Sequence, residues 1–113
     1  MNEFKSLRKN WEFQAVYRNG KSKANRCFVM IIKKNDASSN RIGISVSKKV
    51  GNSVVRHHLT RLIRESYRLQ EECFQRGYDL VVIARQSAKD VTYKEMESAL
   101  IHLGKLHKIY KTV

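Results

Sequence analysis

The sequence predicts one domain of mixed α and β structure, and three observations support that prediction. The chain has 113 residues, which is enough for a modest hydrophobic core but too few for two full domains. It contains no proline and only one short polar cluster, residues 35–40, so no linker divides it. Short continuous apolar runs, typical of buried strands, alternate with apolar residues at helical spacing. We therefore expect residues 1–113 to form a single domain with the order helix, hairpin, helix, strand, helix.

The first half of the chain predicts one helix and two strands. Asn10 is a suitable cap for a short helix that stops at Gly20. The continuous apolar run 27–32 predicts a well-buried strand. Residues 42–47 alternate apolar and small side chains, which predicts a strand with a core face and a flat face that another backbone can approach. Because a short polar turn joins these two strands, we expect them to pair as an antiparallel hairpin.

The second half of the chain predicts two helices around one strand. Apolar residues follow helical spacing from Val54 to about Gln70, which makes this the clearest helix in the sequence. Its predicted core face comprises Val55, Leu59, Leu62, Ile63 and Leu69. The run 80–84 predicts another buried strand, and Thr92 with Glu95 fits a capping box that opens the final helix. The predicted inner side of this last segment comprises Met96, Ala99, Leu100, Leu103, His107 and Tyr110.

The charge of the chain predicts a polyanionic partner. The sequence holds 23 Lys and Arg against 10 Asp and Glu, a net charge of +13 with a pI near 10.1. Nucleic acid suits this surplus because each neutralised phosphate releases a counterion, and an anionic membrane surface is the main alternative. No stretch approaches the roughly 20 apolar residues that cross a bilayer. Cys27 and Cys73 lie far apart, and no apolar secretory segment opens the chain, so we expect free thiols in a cytoplasmic protein.

The helix predicted from Val54 carries a one-sided cationic row. At about 100° per residue, its apolar and cationic side chains fall on opposite sides. The cationic side comprises His57, Arg61, Arg64 and Arg68, with Arg56 and His58 on its flanks. An ordinary solvated helix face is the alternative interpretation. The near absence of acidic partners, with Glu65 the only one, and the preference for Arg favour contact with RNA or DNA.

Two further features extend this candidate surface. Lys48 and Lys49 stand just before Asn52 and the start of the helix, where free backbone N–H groups form a natural anion site. An ordinary capped turn is the alternative there. Phe13 and Tyr17 share a helix face, and their spacing leaves open whether they stack on unpaired bases or pack in the core.

A nuclease active site is a further alternative, because His57 and His58 could act as general acid or base. No second catalytic group, pair of carboxylates or metal-ligating pair stands at motif spacing beside them. We therefore predict that the protein supplies neither a catalytic residue nor a metal ligand.

Five segments together carry a family resemblance that covers nearly the whole chain. They are KNWEFQ at 9–14, ANRCFV at 24–29, RIGISVSKKVGN at 41–52, VRHHLTRLIRE at 55–65 and DLVVIAR at 79–85. In these segments the sequence resembles the protein subunit of bacterial ribonuclease P. The resemblance implies an α/β (α+β) two-layer sandwich like domain 2 of ribosomal protein S5, with a small mixed sheet and flanking helices. It also implies a left-handed β-α-β crossover over residues 41–84, where general rules favour a right-handed one.

The resemblance implies a function as well. The family's protein is non-catalytic and joins a large catalytic RNA, and the complex removes the 5′ leader from precursor tRNA by hydrolysis that the RNA performs with Mg²⁺. In this chain the arginine helix and the loop before it would contact that RNA, through Lys48, Lys49, Asn52, Arg56, His57, His58, Arg61, Arg64 and Arg68. A cleft beside the sheet would hold the single-stranded leader, through Phe13, Tyr17, Asn25, Arg26 and Ile31.

The chain departs from the family pattern at four positions, three of them among the residues just named. His57 and His58 stand where Asn and Arg are usual, Thr60 replaces a basic residue, and Ile31 occupies a position that is often aromatic. The expected partners are ribonuclease P RNA and the leader of precursor tRNA, without membrane or DNA. A ribosomal or other structured-RNA binding protein with no role in cleavage is the alternative function, with a basic DNA-binding module behind it.

Overall fold

The computed structural model describes residues 4–111, in which a five-stranded mixed sheet is flanked by three helices. The strands are β1 Lys5–Ser6, β2 Lys21–Ala24, β3 Phe28–Lys34, β4 Arg41–Ser45 and β5 Tyr78–Ala84. The helices are α1 Asn10–Asn19, α2 Ser53–Gln70 and α3 Tyr93–Leu106, with short 3₁₀ turns at Glu71–Cys73 and Gln86–Asp90. The strand order across the sheet is β1-β4-β5-β3-β2. This confirms the predicted α/β sandwich with a small mixed sheet.

The central strand of the sheet is β5. It pairs antiparallel with β3 along its whole length and parallel with β4. Leu80, Val81 and Val82 are fully buried, because helices cover both faces of the sheet at this strand. The predicted antiparallel hairpin of 27–32 and 42–47 is therefore wrong, since β5 separates β3 from β4. The most apolar strand takes the centre, where both of its faces are buried.

The helices divide between the two faces of the sheet. α2 and α3 pack on one face over the main core, in which Met30, Ile63 and Leu100 are buried. α1 packs on part of the other face, where a smaller cluster contains Val16 and Val81. The unit β4-α2-β5 has the parallel pairing that the resemblance implies, and the left hand of its crossover stays a prediction.

The two strands that were not predicted from the sequence are the edge strands. β1 has only two residues, and all four residues of β2 are exposed. A two-residue strand gives no periodicity, and the sequence KSKA of β2 has no apolar alternation from which to infer one. Both strands form because a neighbouring strand offers unpaired backbone groups, which is tertiary information.

The helix termini agree only in part with the prediction: Asn10, predicted as the cap of the first helix, is its first helical residue, and Lys9 is the N-cap. Thr92 forms the predicted capping box, its side chain accepting a hydrogen bond from the backbone of Glu95 at 3.1 Å. α3 ends at Leu106, so His107 caps it and Tyr110 lies beyond it. Leu69 was predicted to face the core, but it is 54% exposed.

The helix α1 is fixed to the sheet by an ion network around Arg41. The Arg41 guanidinium donates to both carboxylate oxygens of Asp79, at 2.9 and 2.6 Å, and to Glu12 of α1 at 2.8 Å. Burial would raise the pKa of Asp79, but hydrogen bonds from Arg41 and Asn35 outweigh it and the pKa is lowered. The pKa of Glu12 is lowered by two backbone N–H groups just before α1 and by the charge of Arg41. Both carboxylates therefore depend on one guanidinium.

We predict that Arg41→Met lowers the free energy of unfolding by about 3 kcal/mol at pH 7, because Asp79 keeps a buried charge without its partner. In the wild type, the lowered pKa values of both carboxyls contribute stability that is present above about pH 4 and is lost as the pH falls through them. This loss should be smaller in the variant. Urea unfolding at pH 7 and pH 3 measures both effects, with Arg8→Met, an exposed arginine, as the control. Equal stability of the two variants at pH 7 would contradict the prediction.

Candidate nucleic-acid interface

The loop 46–52 between β4 and α2 presents two lysines at the start of α2. Lys48 and Lys49 are exposed, while Val50 is 1% exposed and anchors the loop in the core. Asn52 is the N-cap of α2, as predicted, and its side-chain oxygen accepts from the backbone N–H of Val55 at 3.0 Å. The structure thus uses the Asn52 side chain to shape the helix start and leaves the two lysines free to contact a ligand.

The outer side of α2 carries the most accessible cations of the predicted row. His57, His58 and Arg61 are exposed and, with Ser53 and Val54, line a shallow hollow of about 510 Å³. Val54 is 75% exposed, which places an apolar surface beside these cationic and imidazole side chains. This combination suits a phosphate and the sugar or base attached to it.

Arg64 of the row and Arg56 on its flank are less exposed than His57 and Arg61. Arg64 is half-buried, and its Nη1 donates to the hydroxyl of Ser6 in β1 at 2.8 Å. Arg56 is also half-buried, and its buried Nε has no hydrogen-bond acceptor among the residues that the structure describes. Thr60 donates its hydroxyl to the backbone oxygen of Arg56 at 2.9 Å, so this departure from the family pattern is satisfied within the helix.

The last arginine of the row is neutralised. Arg68 forms an ion pair with Glu65 one turn earlier, and its Nε donates to Glu65 Oε1 at 2.8 Å. The hydrogen bond from Arg68 lowers the pKa of Glu65, so the carboxylate stays charged. The row predicted from sequence has four members. Within the described residues His57 and Arg61 are unpaired, Arg64 is hydrogen-bonded to β1, and Arg68 is ion-paired.

The aromatic side chains of α1 lie over the sheet face opposite α2 and α3. Phe13 packs half-buried with Ile31 and Ile83, and its ring centroid lies 6.4 Å from that of Tyr17. The flat face of β4 was predicted to be approached by another backbone. In the structure the Phe13 ring lies against it instead, so close that a Cβ at Gly43 would lie 2.6 Å from the ring. Phe13 is thus both part of a core and partly open. Tyr17, 37% exposed, extends the aromatic surface outward.

The remaining two predicted cleft residues lie at the end of the sheet. The Asn25 side chain accepts from the backbone N–H of Phe28 at 3.0 Å and donates to the backbone oxygen of Ala99 at 2.9 Å. It therefore fixes the turn between β2 and β3 to α3. Arg26 is exposed beside it.

A cleft of about 710 Å³ connects this end of the sheet with the loop before α2. Its cationic lining comprises Arg26, Lys49 and Arg85. Arg85 was not among the predicted site residues; it donates to the backbone oxygen of Asn25 at 3.1 Å. The sequence feature that could have identified Arg85 is its position directly after β5, as the last residue of the segment 79–85.

The chemistry of this interface is that of a cationic surface. Within residues 4–111, no group of three or more His, Cys, Asp and Glu side chains comes together as a metal site. Cys27 and Cys73 are free, and burial raises the pKa of the Cys27 thiol. None of the helices in the described part of the chain is long and apolar enough to cross a membrane.

Comparison with known proteins identifies the family. Residues 1–108 match the family described as Ribonuclease P. The chain is 58% identical to the ribonuclease P protein component of Lachnoclostridium phytofermentans, over 92% of this chain and 90% of that protein. It resembles the solved RNase P protein of Staphylococcus aureus with a TM-score of 0.86 and 40% identity, over 94% of this chain and 97% of that one. The RNase P protein of Thermotoga maritima gives a TM-score of 0.84 and 31% identity, over 90% and 96%. The chain therefore belongs to the ribonuclease P protein family.

Proposed function

We propose that this protein binds ribonuclease P RNA through α2 and the loop before it, and binds the 5′ leader of precursor tRNA along the sheet face beside Phe13 and Tyr17 of α1. As a ribonuclease P protein component, the chain has a role in tRNA 5′ processing together with the RNA subunit. The observation that supports the finer proposal is that exposed basic side chains occur both on the outer side of α2, at Arg61, and in the cleft where Lys49 and Arg26 meet. Such a surface can follow a phosphate backbone.

We further propose that the RNA subunit performs the hydrolysis and that the protein contributes binding and charge neutralisation. Proteins usually hold Mg²⁺ through carboxylates. The proposed surface offers Lys, Arg and His, and the nearest acidic member of α2, Glu65, is already paired with Arg68. Magnesium is accordingly expected with the RNA. Localisation in the cytoplasm follows from this proposal, since the substrate is precursor tRNA.

Reconstitution tests the proposed function. Purified protein added to ribonuclease P RNA at low magnesium should increase the rate of leader removal from precursor tRNA, because the bound cations replace part of the counterion screening. The rate is followed with a 5′-labelled substrate. Binding of RNA without any increase in cleavage would favour the alternative, a structured-RNA binding protein with no role in processing.

The pairing pattern along α2 predicts opposite effects for neighbouring substitutions. Arg61→Ala, and Arg64→Ala likewise, should weaken RNA binding roughly tenfold and reduce the slope of log K against log salt by about one phosphate contact. Glu65→Gln should strengthen binding, because it releases Arg68 from its ion pair. Filter binding across a salt series measures both. Glu72→Gln, which removes an equal charge outside α2, is the control, and an equal gain in that variant would show that only net charge matters.

The position of Tyr17 predicts a contribution to leader binding. Tyr17→Ala should weaken binding of precursor tRNA with a single-stranded leader roughly tenfold, since stacking of one base on an aromatic ring contributes about 1–3 kcal/mol. Binding of mature tRNA should not change. Trp11→Ala is the matched control, because Trp11 is a 64% exposed aromatic residue at about 160° from Phe13 on the same helix. If both variants lose leader binding equally, the proposed cleft is misplaced.

A further inference from the structure

A second basic surface lies away from α2, at the β2 edge of the sheet, where the last residue of α1, Asn19, contributes to its lining. It is a cleft of about 480 Å³ between β2, the end of β3 and the end of α3. Five lysines line it, and we name it the lysine cleft: Lys21, Lys23, Lys33, Lys34 and Lys108. No role was predicted for these residues from the sequence.

The strand register places Lys21 and Lys23 on the sheet face that α3 covers, whereas Lys33 projects to the other face at the rim of the cleft, opposite Asp79. Lys21 stands opposite Ile32 and Lys23 opposite Met30, and directly opposed residues share a face of the sheet. Met30 and Ile32 belong to the main core under α2 and α3. The lysines of β2 therefore lie on the opposite face of the sheet from Phe13 and the proposed leader cleft.

The lysine cleft is also far from the cations of α2. Arg64 of α2 contacts β1, which is one edge strand of the sheet, whereas Lys21 and Lys23 belong to β2, the other edge strand. Four strand spacings separate the two edges, which amounts to about 19 Å. One phosphate therefore cannot contact both groups.

The composition of the lysine cleft favours an anionic ligand. No acidic side chain lines it, and none of its lysines forms an ion pair with a carboxylate in the described part of the chain. Clustered like charges repel one another, so a ligand that neutralises them is bound favourably. At the floor of the cleft, His107 Nε2 donates to the backbone oxygen of Met30 at 2.8 Å, and burial lowers the pKa of this imidazole.

The apolar part of the lining indicates more than a bare phosphate. Tyr78 is half-buried and Leu106 is 42% exposed, and both line the cleft together with the lysines. An aromatic ring and an aliphatic side chain beside point charges suit a ribose or base attached to its phosphate. The surface is recessed between β2 and α3, which fits a strand of nucleic acid better than the plane of a lipid headgroup layer.

We propose that the lysine cleft is a second RNA-binding surface, which takes a segment of sugar–phosphate backbone independently of α2. The choice of RNA as the polyanion rests on the proposed function, and the existence of the surface does not. Lysine is a flexible point charge, so the contact would be to phosphates and largely independent of sequence. With both surfaces occupied, the protein would join two RNA segments, or two parts of one RNA, across the width of its sheet.

Salt-dependent binding tests this inference. The triple variant K21Q/K23Q/K34Q should bind ribonuclease P RNA and precursor tRNA more weakly, with the slope of log K against log salt reduced by about 2 for three single-strand phosphate contacts. The control K89Q/K94Q/K111Q removes the same charge from exposed lysines outside the cleft. Equal slopes in the two triple variants would overturn the inference. Circular dichroism of both variants verifies that they fold.

Mapping by NMR separates this inference from the proposed function. A tetranucleotide of RNA should shift the backbone amides of Lys21 to Ala24 and of His107 and Lys108, and it should still do so in the variant R61A/R64A. If these shifts persist although the protein does not stimulate cleavage, the lysine cleft is retained as an RNA-binding surface and the proposed role in processing is rejected. Absence of the shifts in the folded wild type would reject the cleft alone. Shifts with inorganic phosphate but not with the tetranucleotide would also overturn it, because they indicate a small-anion site.

Discussion

The parallel pairing of β4 with β5 is the constraint on which the rest of the structure depends. Parallel neighbours cannot be joined by a tight turn, so the chain between Ser45 and Tyr78 has to cross a face of the sheet. α2 makes that crossing by burying Leu59 and Ile63, and its opposite side is left for cations. Because β5 then occupies the centre of the sheet, β3 pairs with the edge of β5 that β4 does not use. The helix α1 packs on the face of the sheet opposite α2.

Most elements of this fold could be predicted from sequence because each is encoded by local chemistry. The caps at Asn52 and Thr92 and the apolar runs of β3 and β5 all depend on residues a few positions apart. Strand order could not be predicted in this way. The assumption that neighbouring strands pair fails here because β5, which follows thirty-odd residues later, is the more apolar strand and displaces β4 from β3. Only the packed sheet decides that competition.

The site shows the same division between local and tertiary information. Helical geometry alone predicted which side of α2 carries the cations, and that side is the exposed one at His57 and Arg61. The contact of Arg64 with the neutral hydroxyl of Ser6 was not predictable, because Ser6 lies fifty-eight positions away in the chain; Arg64 keeps its charge. Arg68 could have been discounted from sequence, since its spacing of three from Glu65 is that of a helical ion pair.

The distribution of acidic residues explains why cationic surfaces dominate the exterior. Glu12 and Asp79 neutralise Arg41, Glu65 neutralises Arg68, and Glu95 caps α3. Glu12 and Asp79 join α1 to the sheet, whereas Glu65 and Glu95 act within their own helices, and none of these four carboxylates is left to balance the surface lysines. The net charge of +13 is consequently concentrated on faces that have no internal partner. On this chain, the requirements of stability and of polyanion binding lead to the same arrangement: acids at the joints between elements, and bases on the faces between them.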